Sequence, residues 1–222
     1  MIAKLPRWVW SGAWALAFVA GMINVVGLLG FEHQAVTHLT GTTSMLSDAA
    51  AHGHWLSFGK LLAVVGAFLA GAIASGFLIQ DSTLKLGRRY GVALALESLL
   101  LCCAVPLLIN QNHWGVCFAS AACGLQNAMA TTYSGSTVRT THLSGMFTDL
   151  GIFVGHLLRR MPVDWRRLKL CAVIISGFFC GGIGGATAFR KLGYAALFFP
   201  AAFTGSGALG YSVFWLRRRR AC

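Results

Sequence analysis

Charge is what this sequence has least of. Only 11% of its 222 residues are Asp, Glu, Lys or Arg, against about 25% in an ordinary soluble domain, and six of them are acidic. Proline is scarce at 4 residues, so neither a Pro-rich disordered chain nor a collagen-like one fits. Cysteines number seven: Cys102, Cys103, Cys117, Cys123, Cys171, Cys180 and Cys222. An odd count without a Cys-x-x-Cys pair excludes a disulfide framework and a zinc site, leaving free thiols tolerated among apolar neighbours. Catalytic signatures are missing too. There is no His-Glu-x-x-His, no paired aspartates and no glycine loop followed by Lys-Ser/Thr.

What the chain does have is apolar length. Hydrophobic residues make up 56% of it, with 27 glycines. Long apolar runs must satisfy their own backbone groups in lipid, so the expected class is an all-α polytopic membrane protein, one membrane domain over residues 1–222. Apolar segments lie near 8–30, 39–51, 59–80, 90–109, 114–133, 140–158, 168–189 and 194–216. Six approach the roughly 20 residues that a crossing requires. The first, Trp8 to Gly30, is too long for a cleaved signal segment. Segments 39–51 and 140–158 are interrupted by Thr, Ser, His and Gly.

The net charge of +12 does not make the chain a nucleic-acid binder. Fourteen of the eighteen basic residues fall in four clusters beside apolar runs: Lys4 and Arg7; Lys85, Arg88 and Arg89; Arg159 to Lys169; Arg217 to Arg220. Cytoplasmic loops look like this under the positive-inside rule, and no aromatic-basic interleaving offers base stacking. An even number of crossings must separate any two clusters. Of the three segments between the first two clusters, 39–51 is the weakest and is read as non-crossing. The uncharged Asn110-Gln-Asn-His113 turn suits the outside. Residues 159–169 belong inside, so 140–158 cannot cross either. The expectation is six transmembrane helices plus two broken or re-entrant helices, with both termini cytoplasmic.

The two interrupted segments resemble each other. Thr37-His38-Leu39-Thr40-Gly41 aligns with Thr141-His142-Leu143-Ser144-Gly145, and Leu46 with Leu150. Upstream, Gly21-Met22-Ile23-Asn24 aligns with Gly124-Leu125-Gln126-Asn127. Downstream, Gly66-x-Phe68-x-x-Gly71 aligns with Gly177-x-Phe179-x-x-Gly182. Three matches in the same order indicate an internal duplication, with repeat one at about 8–109 and repeat two at about 114–216. Three spans per half make the second copy upside down: an inverted 3+3 repeat, as in many transporters.

These paired motifs, with Val138-Arg139-Thr140-Thr141-His142 and Thr148-Asp149-Leu150, resemble the YoaK-like bacterial inner-membrane family, defined by domain of unknown function 1275. The resemblance covers nearly the whole chain. It implies a six-span protein of the bacterial inner membrane and a transport role, with no substrate or catalytic residue to carry over.

The residues themselves point the same way. Polar groups at membrane depth are costly and usually serve a site. His38 and His142, at matching positions between hydroxyls and glycine, can donate, accept or bind a proton. They are expected to line a polar pathway with Thr37, Thr40, Thr42, Thr141 and Ser144. Asn24 and Asn127 either present amides to a solute or tie a helix to the broken segment. Gly41 and Gly145 are read as allowing a tight turn or close approach. Arg139 lies near the inner mouth. Asp149 is placed in the pathway or in a pair with Arg139, and Glu97 and Asp48 are candidates for a proton relay. If the short helices begin just after His38 and His142, their N-termini favour a small anion, weak acid or neutral polar solute and disfavour metal cations. No cofactor or metal is expected. The expected partners are the lipid bilayer and a small polar solute, with homo-oligomerisation left open and no nucleic acid. The alternatives are an intramembrane enzyme acting on a lipid or quinone, and a non-catalytic assembly or sensor subunit.

Overall fold

The computed structural model describes residues 7–30, 33, 36–79, 89–133 and 139–220, without side chains for 7, 8, 133 and 214–220. Lys4, Lys85, Arg88, Val138 and Cys222 lie outside the described residues. Among those described, all regular structure is helical: α1 (Arg7–Leu29), α2 (Leu39–Ala51), α3 (Trp55–Leu78), α4 (Arg89–Ile109), α5 (His113–Tyr133), α6 (Leu143–Leu158), α7 (Trp165–Leu192) and α8 (Phe198–Arg220), with a 3-10 turn over Gly193–Leu197. The two interrupted segments are the two short helices, of 13 and 16 residues. The other six have between 21 and 28 residues.

Four stretches are long and apolar enough to cross a bilayer: Val9–Leu29, Trp55–Leu78, Arg89–Ile109 and the 49 residues Trp165–Val213, which run through α7 into α8. Helix α5 has the length of a span but not the apolarity, because it carries Ser120, Gln126, Asn127 and Thr131. This is a membrane protein, with apolar side chains facing outward as well as inward. On α3 the buried positions are Leu61, Val64, Gly71 and Ser75, while Leu62, Leu69, Ile73 and Phe77 are exposed. An apolar face of that extent would be an aggregation surface in water. In lipid it costs nothing, and association is driven instead by close contact of small residues.

Glycines set the helix crossings. A Cβ on Gly21 would collide with the Phe178 carbonyl, and one on Gly181 with the Phe18 carbonyl. In the other half, Gly124 sits on the Phe68 carbonyl and Gly71 on that of Ala121. The α1–α7 and α3–α5 crossings are therefore copies of one another. They also correct the downstream alignment by one residue: Phe68 and Gly71 correspond to Phe178 and Gly181, not to Phe179 and Gly182. The helix starts Trp55 and Trp165 have the same spacing. Register here is decided by which residue meets a neighbouring backbone, which a Gly-rich string read alone does not reveal.

Contacts also give the directions. Gly177, Gly181 and Gly185 follow Trp14, Phe18 and Met22 in step, so α1 and α7 are parallel. Helices α3 and α5 are parallel too, since Ser120 Oγ donates to the Val64 carbonyl at 2.9 Å and Gly124 meets Phe68. Helices α4 and α8 are antiparallel: Gly91 faces Tyr211, and Ser98 Oγ donates to the Ala201 carbonyl at 2.7 Å. Helix α1 is antiparallel to α5, with Gln126 Nε2 donating to the Leu16 carbonyl at 3.1 Å and Ile23 beside Val116 and Ala119. It follows that α1, α4 and α7 begin at one end of the bundle, where α3, α5 and α8 finish. Arg89, Arg159, Arg160, Arg166, Arg167 and Lys169 all lie toward that end.

Candidate functional site

The site starts with Asn24, five residues before the end of α1. Its Oδ1 accepts hydrogen bonds from the Thr37 backbone N–H at 3.1 Å and from Thr37 Oγ1 at 2.6 Å. That double bond pins the returning chain against α1 and fixes where α2 begins. The next residue, His38, is the N-cap of α2, with φ −97° and ψ 64°. His142 caps α6 with nearly the same backbone, φ −92° and ψ 58°. The two similar motifs thus adopt similar conformations. Each cap carbonyl accepts the first helical bond, from Thr42 N at 3.1 Å and from Met146 N at 3.3 Å.

Neither histidine caps its helix through the side chain. Each ring instead folds over the first turn, onto the glycine three residues ahead. A Cβ at Gly41 would lie 3.0 Å from His38 Nε2, and one at Gly145 would overlap the His142 ring. The glycines are there to seat the imidazoles. The sequence-based reading of a tight turn or close helix approach is replaced by this one, and the His-x-x-Gly spacing is its signature.

Both motifs open on one cavity of about 400 Å³. From the first half, Asn24, Thr37, His38 and Thr40 line it; from the second, Asn127, Arg139, Thr141, His142 and Ser144. Phe68 and Phe178, halfway along α3 and α7, complete the wall with Leu39 and Leu143. Sequence reading missed these two aromatics as site residues. Their backbones are held against the polar helices by Gly124 and Gly21, on which the Phe68 and Phe178 carbonyls sit.

The remaining candidates lie elsewhere. Thr42 is buried and its hydroxyl donates to the His38 carbonyl at 3.3 Å. Asp149 pairs with Arg167 at 3.1 Å, not with Arg139. Asp48 lies beside His52 at 3.2 Å, exposed at the far end of α2. Glu97 is fully buried on α4, with neither oxygen hydrogen-bonded, and does not line the cavity. No carboxylate is among the lining residues, whereas Arg139 and the N-termini of two helices are. Among the described residues no group of three or more His, Cys, Asp or Glu could hold a metal.

The halves differ in two respects. Asn24 is doubly bonded to Thr37, but the matching Asn127 Oδ1 is buried with no hydrogen-bond partner, as is Thr140 Oγ1 beside Thr141. Arg139 has no basic counterpart in the first half, where Ala35 occupies the matching position. The first motif is tied to its helix through Asn24; the second carries the charge.

Paired Gly-x-x-Asn and Thr-His-Leu-Thr/Ser-Gly motifs lie around a single cavity, and a family model covers the stretch that carries them. The chain belongs to the DUF1275 family. That model, described as a protein of unknown function, matches residues 12–210. No curated protein and no solved structure matches the chain.

Proposed function

We infer that the chain is a membrane transporter or channel for a small anion, weak acid or neutral polar solute. The observation that carries this reading is the cavity itself: two copies of a polar motif converge on it inside an otherwise apolar bundle, with no carboxylate in its lining. Two helix N-termini are worth roughly 0.3–2 kcal/mol each for a nearby anion. Arg139 adds a full positive charge, and the hydroxyls of Thr40, Thr141 and Ser144 supply neutral donors.

The architecture proposed with it is six spans, with α2 and α6 re-entrant and the halves inverted. The antiparallel run of α1 against α5, and of α4 against α8, supports inversion. Helices α1 and α3 meet at one end of the bundle with α2 between them, while α5 and α7 meet at the other around α6. The end rich in arginine is assigned to the cytoplasm of a bacterial inner membrane, both termini with it, by the positive-inside rule. At the opposite end only Lys60, Arg190 and Lys191 stand among the described residues. In a cysteine-free background, a membrane-impermeant thiol reagent applied outside should modify a cysteine at Asn112 and spare one at Asp164. Labelling of both, or the reverse, overturns the arrangement.

Flux through reconstituted vesicles tests the function. Acetate, chloride and glycerol are the probes, with Mn²⁺ as the contrast. At least one of the first three should cross faster than in empty vesicles, and His38→Ala and His142→Ala should each slow it while the protein still folds. Robust Mn²⁺ flux indifferent to both substitutions would mean that the field in the cavity has been read with the wrong sign.

A further inference from the structure

Helix α8 does not do for α1 what α4 does for α5. Helices α4 and α5 pack along their hairpin, with Gly115 against Leu108. Helices α1 and α8 barely touch. The gap between them is an apolar slot. Toward the arginine-rich end it is a cavity of about 320 Å³, bounded by Val9, Gly12 and Leu16 of α1 and by Tyr90, Gly207 and Tyr211. Toward the other end, Phe18 and Met22 face Phe199 and Pro200 across a second cavity of about 380 Å³. Phe203 lines both, so the two cavities adjoin end to end. From Val9 to Met22 the slot follows α1 for about 20 Å at 1.5 Å per residue, somewhat more than the hydrocarbon depth of one leaflet, about 15 Å.

The two ends of the slot differ. The Val9–Tyr90–Tyr211 end is where α1 begins at Arg7, where α4 begins at Arg89, and where α8 finishes in Arg217–Arg220. An amphiphile with an apolar chain and an anionic head matches that polarity. A second copy of this chain matches it poorly, because a two-fold axis along the bilayer normal would bring identical arginine-rich ends together.

We propose that the slot is a binding site for an anionic phospholipid, with one acyl chain between α1 and α8 and the phosphate at the arginine-rich end. Chain and head then act together: the apolar walls accept any acyl chain, and the basic helix ends select the head.

Thermal melting of the purified protein in detergent tests this, with phosphatidylglycerol and phosphatidylcholine of identical chains as probes. Phosphatidylglycerol should raise the midpoint by about 2–4 °C more than phosphatidylcholine. Gly12→Leu fills the slot from α1, where a Cβ meets nothing within 4 Å, and should abolish that difference. If Gly12→Leu does not fold, Gly207→Leu fills it from α8, where a Cβ meets only Leu94 Cδ1 at 3.5 Å. Arg89→Gln should shrink the difference while leaving the response to phosphatidylcholine intact. Equal shifts for the two lipids, or a phosphatidylglycerol shift undiminished in the filled slot, overturn the proposal. So does an equal shift from inorganic phosphate alone. Loss of a dimer in Gly12→Leu with lipid-independent melting would place a second copy in the slot instead.

Discussion

Arg139→Gln should weaken binding of a small anion in the cavity by about 10–100-fold, the value of a lost charge-assisted hydrogen bond of about 1.5–3 kcal/mol. Arg139 is exposed on the approach to α6 and lines the cavity with Thr141, His142 and Ser144. No carboxylate in the lining neutralises it, and Asp149 on α6 is held by Arg167 at 3.1 Å. Its removal should leave the fold intact, since it supports no buried packing. Arg139→Lys keeps the charge and should retain most of the affinity for a spherical anion, with a larger loss for a planar carboxylate that needs the guanidinium fork. Isothermal titration or saturable flux with chloride and acetate separates these cases. Wild-type affinity for both anions in Arg139→Gln would place the anion site away from the second half.

The second large effect is on stability. Gly21→Ala, Gly71→Ala, Gly124→Ala and Gly181→Ala should each cost about 3 kcal/mol or more, because each new methyl meets a backbone carbonyl of the facing helix and no side chain can move aside. Helix separation must then increase along the whole α1–α7 or α3–α5 crossing, and the walls that Phe68 and Phe178 give the cavity would move with it. Gly66→Ala and Gly76→Ala are the controls. A Cβ at either meets nothing within 4 Å, so the change should stay within about 1 kcal/mol and lean toward stabilisation, since alanine is the better helix former. Unfolding in detergent mixtures measures both sets. If Gly66→Ala proved as damaging as Gly71→Ala, the helix crossings described above would be wrong.

Much of this molecule was legible in one dimension. The shortage of charge and the apolar runs specified a helical membrane protein, because only self-satisfying helices fill such runs in lipid. Polar interruptions marked α2 and α6 as the short helices, and α2 spans Leu39–Ala51 as its hydropathy predicted. Both helices start directly after His38 and His142, the condition on which the preference for an anion rested. The likeness of the two Thr-His-Leu-Thr/Ser-Gly motifs could be read directly, because it lies in residue order.

Other features needed the tertiary structure, because they depend on which distant backbone a residue meets. Contact with Ala121 and Phe18 set the true register of Gly71 and Gly181. That Gly41 and Gly145 seat imidazole rings, and do not make a tight turn or a close helix approach, shows only in where the His38 and His142 rings lie. Asp149 read as a pathway residue or a partner of Arg139, and folding α6 against α7 set it beside Arg167 instead. The difference between Asn24, doubly bonded to Thr37, and Asn127, left without a partner at Oδ1, is invisible in two motifs that read alike. Sequence determined which groups are polar and where helices begin; packing across the bilayer decided which of those groups share a cavity, because that is settled by contacts about a hundred residues apart.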